Sequence, residues 1–167
     1  DLYWRMAIEV LETIKENNEK GEDTIMVIPY GPLGPYSRLV YLVNTYRVSL
    51  KRCTFINMDE YLVGDDETIP YENPLSFKAT MDRVLYSQVR KELLMPTSQR
   101  LFPQPKKEAE IDELFETLGK VDLCLTGVGI NGHIAFNEPP KATDAITDEE
   151  YKNCGTRCAD IATETVV

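Results

Sequence analysis

An α/β domain with a mostly parallel sheet is the fold this sequence predicts, and three observations carry that expectation. Short apolar runs at 24–28, 52–57 and 121–126 have the length and continuity of strands buried on both faces. Apolar residues at helical spacing separate these runs, and strand alternating with helix marks a parallel sheet. Each run also ends in a turn-rich loop, and open α/β sheets bind ligands at the carboxyl ends of their strands.

The elements follow in order. Leu2, Tyr3, Met6, Ala7, Val10, Leu11 and Ile14 predict an amphipathic helix ending near Asn18, before Gly21. The pattern opens inside that helix, so a natural start upstream is expected. Thr24–Ile28 reads as the first strand, broken by PYGPLGP from Pro29 to Pro35, and a helix resumes from Ser37 to about Tyr46. Arg52–Asn57 reads as the second strand and runs into Met58, Asp59, Glu60 and Tyr61. A polar, turn-rich stretch then leads to Asn73. Pro74 suits a helix start, with Phe77, Met81, Val84, Leu85 and Val89 as the buried face. Residues 95–105, with three prolines, read as extended loop. Lys106–Leu118 reads as a helix with Ile111, Leu114, Phe115 and Leu118 inward, stopped by Gly119. Val121–Thr126 is the third buried strand. Thr147 followed by Asp148, Glu149 and Glu150 has the form of a helix N-cap and first turn. Thr156–Val167 is expected to be extended. No repeat or linker-like run interrupts the chain, so 1–167 reads as a single domain.

Composition excludes several functions. The net charge of -10 argues against nucleic acid or an anionic membrane as the main partner. An anionic ligand must be held by local N–H groups or a few basic side chains. Cys53 and Cys124 lie in apolar runs, and Cys154 and Cys158 lack histidine partners, so no metal site is expected. A reducing, cytoplasmic setting fits this cysteine usage. Neither a signal peptide nor a long apolar span is seen.

Chemistry concentrates at the strand ends. Asp59 and Glu60 are adjacent, so in extended chain one faces a pocket and the other the scaffold. Asp59 is the better inward candidate, sharing a side with Asn57, and desolvation by the apolar strand would raise its proton affinity. Its alternative is a turn aspartate capping backbone donors. The chain's single histidine, His133, lies in LTGVGINGHIAFNEP, residues 125–139, after Gly127, Gly129 and Gly132. Glu138, five residues on, is placed to orient it and favour its charged form; a loop histidine with a structural hydrogen bond is the alternative. Gly31 and Gly34 precede a helix N-terminus, which attracts anions. Pro29, Pro32 and Pro35 each remove a donor N–H, so a rigid structural turn is an equal reading.

The segments FINMDEYLV and LTGVGINGHIAFNEP together resemble the glucosamine-6-phosphate deaminase family, within the wider group of ribose-5-phosphate isomerases and 6-phosphogluconolactonases. The likeness runs through most of the chain, including Gly155-Thr156-Arg157. It implies a Rossmann-like three-layer domain whose C-terminal part lies beyond these residues. It implies a hydrolase acting on C–N bonds, which isomerises an amino sugar 6-phosphate to fructose 6-phosphate and expels ammonia. Asp59 would be the base moving a proton between C2 and C1. His133 would assist ring opening, and Glu138, with Asn131 beside it, would support that histidine. Gly31, Gly34, Glu60, Gly129 and Gly132 would contact substrate. No cofactor or metal is implied, and a homo-oligomer is allowed. Asn131 stands where many members carry aspartate. PYGPLGP replaces a Thr/Ser-bearing phosphate loop. An altered, sugar-binding relative is the alternative that the proline loop motivates, and a lactonase a weaker one.

Overall fold

The computed structural model describes residues 1–64, 67–141 and 143–165. Helix α1 spans Leu2–Lys20; the Asp1 carboxylate accepts the Tyr3 N–H at 3.0 Å, and Gly21, at φ 73°, closes the helix. Strand β1 is Thr24–Ile28, helix α2 Gly34–Tyr46 and strand β2 Cys53–Asn57. Helix α2 starts three residues before the expected Ser37, because Pro35 fits its first turn and needs no N–H there.

A small antiparallel hairpin, β3 (Leu62–Val63) and β4 (Glu67–Thr68), follows the MDEY segment. Two-residue strands are too short to leave an alternation in the sequence, so it was not expected. Helix α3 is Phe77–Met81, capped by Ser76, and it runs on into a π-helical turn at Asp82–Tyr86. Pro74 therefore falls before the helix. Strand β5, Arg100–Leu101, lies in the expected loop. Helix α4, Glu108–Leu118, ends at Gly119, where φ is 65°. Strand β6 is Leu123–Cys124, and helix α5, Asp148–Lys152, carries the expected capping box between Thr147 and Glu150.

Four strands form one parallel sheet in the order β5-β2-β1-β6. Thr24 pairs with Cys53 and Ile28 with Asn57; Met26 pairs with Leu123, and Phe55 with Arg100. Met26, Ile28, Cys53 and Phe55 point to one face. There they join Ala7, Val10 and Ile14 of α1, Tyr36, Leu39 and Val43 of α2, and Met81, Leu85 and Tyr86 in a single buried core. The chain steps from β1 to β2 to β5 on one side and returns to the other side of β1 with β6. That reversal, with right-handed connections, assigns α4 to the opposite face. It also makes the β1–β6 boundary a topological switch point, where the loops after the two strands diverge and leave a crevice.

The third strand is shorter and less buried than the sequence reading. Cys124 and Val121 are exposed, and among the described residues β6 lies at the edge of the sheet. Asp122 pins its start: its carboxylate accepts the Ile25 N–H at 2.7 Å, and its own N–H donates to Ile25 O at 2.8 Å. Ile111, Leu114, Phe115 and Leu118 of α4 are half-buried, where the sequence predicts them inward. No strand forms among 156–165; residues 166–167 of that expected extended segment lie outside the described residues.

Candidate active site

The loops after β1, β2 and β6 meet around one cavity of about 610 Å³. Its walls include Pro29–Pro32 from the first loop, Met58, Asp59 and Tyr61 from the second, and Thr126–Gly129, His133 and Phe136 from the third. Gly127 allows the first and third loops to touch, since a Cβ there would lie 2.8 Å from Gly31 O. Gly129 is needed for a different reason: the His133 ring lies against it, and a Cβ would overlap the imidazole.

Asp59 sits just past the end of β2 and faces this cavity. Asn57 does not share its side. Asn57 is buried in the core, donating to Leu101 O at 2.9 Å and to the Tyr86 hydroxyl at 3.3 Å. The strand ends there, so alternation no longer governs Asp59. Burial, and secondarily the negative charge of Glu60, push the Asp59 carboxyl up from 3.8 to about 6. An aromatic cluster that periodicity could not reveal lines the same cavity. Tyr30 stacks on Phe77 with centroids 3.9 Å apart, and Tyr61 lies 4.8 Å from Phe77 and 5.4 Å from Phe136.

Glu60 turns the other way. Its carboxylate accepts the N–H groups of Tyr61, Phe77 and Lys78 at 3.0, 3.0 and 2.8 Å, and the Ser76 hydroxyl at 3.2 Å. It therefore caps the start of α3, and the substrate contact expected of it would have to displace four protein donors. Glu60→Ala is expected to cost roughly 2–3 kcal/mol of stability, measured by thermal or urea unfolding, because it strips the cap and leaves these donors unsatisfied.

His133 belongs to a connected unit. Its backbone N–H donates to Asn131 Oδ1 at 3.2 Å, which fixes the amide orientation. The same oxygen lies 2.9 Å from His133 Nδ1, so Nδ1 carries the proton and Nε2 remains for a substrate oxygen. The Asn131 amide nitrogen donates to Glu138 Oε2. Asparagine thus bridges the ring and the carboxylate, while the direct Nδ1–Oε1 distance is 3.6 Å. Glu138 also accepts the Thr165 hydroxyl at 2.7 Å and the Ala162 N–H at 3.1 Å. The Thr165 bond, followed by those of Asn131 and Ala162 and the charge of His133, holds its carboxyl below the usual range. Ala162 and Thr165 carry no sequence signal; only the fold brings them to Glu138.

Two of the glycines expected to contact substrate, Gly34 and Gly132, lie outside the lining of this cavity. Gly34 lies inside α2 under the Tyr3 ring, which a Cβ would overlap, and Arg38 donates to its carbonyl at 2.9 Å. The start of α2 is covered by α1 and does not line the cavity, so its N-terminal N–H groups offer no anion cradle there. Gly132, at φ 91°, is exposed and makes the turn that donates its N–H to Gly129 O at 3.0 Å. Gly31 and Gly129 do line the cavity.

A second cavity of about 670 Å³ shares Met58, Asp59, Tyr61 and Phe136 with the first. It opens toward Arg157, Asp112 and Thr156. Asp112 anchors this side, accepting the Thr156 hydroxyl at 2.7 Å.

Known proteins share both the sequence and this arrangement of elements. A glucosamine-6-phosphate deaminase from Bacillus pumilus is 34% identical over 122 residues, 70% of this chain and 47% of its own length. One from Clostridium tetani is 30% identical over 140 residues, 80% of this chain and 53% of its own. A solved monomeric glucosamine-6-phosphate deaminase of the NagB superfamily superposes with a TM-score of 0.71 at 27% identity, covering 85% of this chain and 57% of that one. This chain is a relative of the glucosamine-6-phosphate deaminases. It spans about half the length of the curated deaminases it matches. A 6-phosphogluconolactonase from Thermotoga maritima, with a TM-score of 0.58 at 20% identity over 80% of this chain and 59% of its own, shares the fold. No protein-family model matches the chain. In this deaminase relative, the two most specific segments of the sequence both line one cavity, whose walls include Asp59 and His133.

Proposed function

We propose that this deaminase relative converts an amino sugar phosphate and water into a 2-keto sugar phosphate and ammonia. The observation that carries the reading is the pairing of Asp59, a carboxylate of raised proton affinity, with His133 in one cavity at the switch point. His133, protonated on Nδ1 by its bond to Asn131, uses Nε2 to exchange a proton with the ring oxygen and open the sugar. Asp59 then removes the C2 proton, giving an enolamine, and returns a proton to C1. The resulting C2 imine adds water and releases ammonia. A carboxylate with a pKa near 6 suits this work, being mostly ionised at pH 7 yet basic enough to draw a proton from carbon. A small amino sugar phosphate as ligand and a cytoplasmic setting belong to the same reading. Among the described residues no helix is long and apolar enough to cross a membrane.

Ammonia release across a panel of amino sugars and their 6-phosphates tests this directly. Turnover of an amino sugar 6-phosphate supports it, and a folded chain without turnover on the whole panel ends it. The panel also reads the first loop. Among the described residues, those lining the His133 cavity include no lysine or arginine, and two of the loop's prolines, Pro29 and Pro32, lie in its wall. These residues by themselves predict a weak preference, about tenfold or less in kcat/KM, for the 6-phosphate over the free sugar. A preference of a thousandfold would mean that a phosphate ligand comes from elsewhere.

A further inference from the structure

We propose that Thr165 is a positioning residue of the histidine unit: its hydroxyl, set between Glu138 and His133, holds the carboxylate one step back from the ring. This rests on the reading of His133 as the acid/base group. Thr165 Oγ1 donates to Glu138 Oε1 at 2.7 Å and lies 3.4 Å from His133 Nδ1. The Ala162 N–H adds a second donor to the same oxygen at 3.1 Å, and Asn131 occupies the other oxygen. With its lone pairs spent in this way, Oε1 stays 3.6 Å from Nδ1, and the ring proton goes to the neutral Asn131 carbonyl at 2.9 Å.

The physical consequence is a softened pair. A carboxylate in direct contact with an imidazole favours the imidazolium strongly. One that already accepts three protein donors, and reaches the ring through an amide, favours it less. In this arrangement the Asn131 amide, and not the carboxylate, is the direct partner of Nδ1. Both donors to Oε1 come from the turn 162–165, closed by the Thr165 N–H on Ala162 O at 2.9 Å. Docking of that turn and the protonation of His133 are therefore linked. Among the described residues, the other titratable groups lining the cavity with the ring are Asp59, Tyr30 and Tyr61; Glu164, on the same turn, is exposed.

His133 is the chain's only histidine, so its ring titration is read without ambiguity by NMR. Thr165→Val removes the hydroxyl at nearly constant size. It frees Oε1 for the ring and is expected to raise the His133 titration midpoint by about half a pH unit or more. Thr165→Ser, which keeps the hydroxyl, retains the wild-type midpoint. In a Glu138→Gln background the valine effect disappears, because the carboxylate through which it acts is gone. Thr165→Ala replaces valine if the valine variant does not fold. A midpoint that stays or falls in the folded valine or alanine variant overturns the proposal, as does a rise that persists with Glu138→Gln. The titration needs no turnover. A wild type that releases no ammonia ends the deaminase reading alone, while an unmoved midpoint in an active enzyme ends the Thr165 assignment alone.

Discussion

Asp59→Asn lowers kcat by about a thousandfold or more while making the protein more stable. The expected rate effect follows from removing the group proposed to take the carbon-bound proton, since general bases contribute roughly 10²–10⁴-fold. The stability effect follows from burial. The folded-state pKa of Asp59 is raised from 3.8 to about 6, so the native state prefers the protonated form. The stability contributed by this group is fully present below pH 3.8 and is lost as pH rises through about 6. By pH 7 keeping the charge costs on the order of 3 kcal/mol at most. Asparagine removes that cost, and a gain of even about 1 kcal/mol raises the melting temperature by roughly 2–4 °C. Melting curves at pH 7 and pH 4 check the sign: the variant's advantage should shrink at the lower pH. In the active wild type, kcat/KM should fall as pH drops through about 6, where the base is protonated. A variant that keeps its rate, or melts lower at pH 7, contradicts this assignment.

His133→Gln lowers kcat/KM by about a hundredfold or more. Glutamine has a side chain of similar reach and a polar end, yet it cannot exchange a proton with the ring oxygen near neutral pH. The ring is largely buried, but its Nδ1 bonds within its own loop and glutamine keeps a polar end of similar reach, so stability should move by no more than about 1–2 kcal/mol. The two effects separate by experiment: steady-state kinetics on the cyclic sugar gives the loss, and thermal unfolding shows an intact fold. A loss of rate matched by a comparable loss of stability would make His133 a structural residue of the loop.

The central sheet and its first helices were legible because periodicity and continuous apolar runs extend over enough residues to show. Helix α1 presents seven apolar residues at helical spacing, and β1 and β2 are five-residue strands with nearly every position buried. β5 and β6, two residues each, exist only through pairing with β2 and β1, and that pairing leaves no local pattern. In the site, Asp59 and His133 were legible because each sits in a specific motif at a strand end. Glu60 was half-legible: alternation says that one of two neighbouring carboxylates turns to the scaffold, but not that it will cap a helix starting at Phe77. At Gly34, the rule for anions at helix starts is blind to the Tyr3 ring that covers this one. Thr165 was invisible, since its partner Glu138 lies 27 residues away and no rule of spacing connects them.

The most direct test of Asp59 and His133 acting together is product analysis of wild-type turnover on an amino sugar 6-phosphate, run beside Asp59→Asn. Equimolar ammonia and 2-keto sugar phosphate from the wild type, with both products lost together in the variant, is the predicted result. Sugar binding without ammonia from the wild type, or ammonia from Asp59→Asn at the wild-type rate, would contradict it.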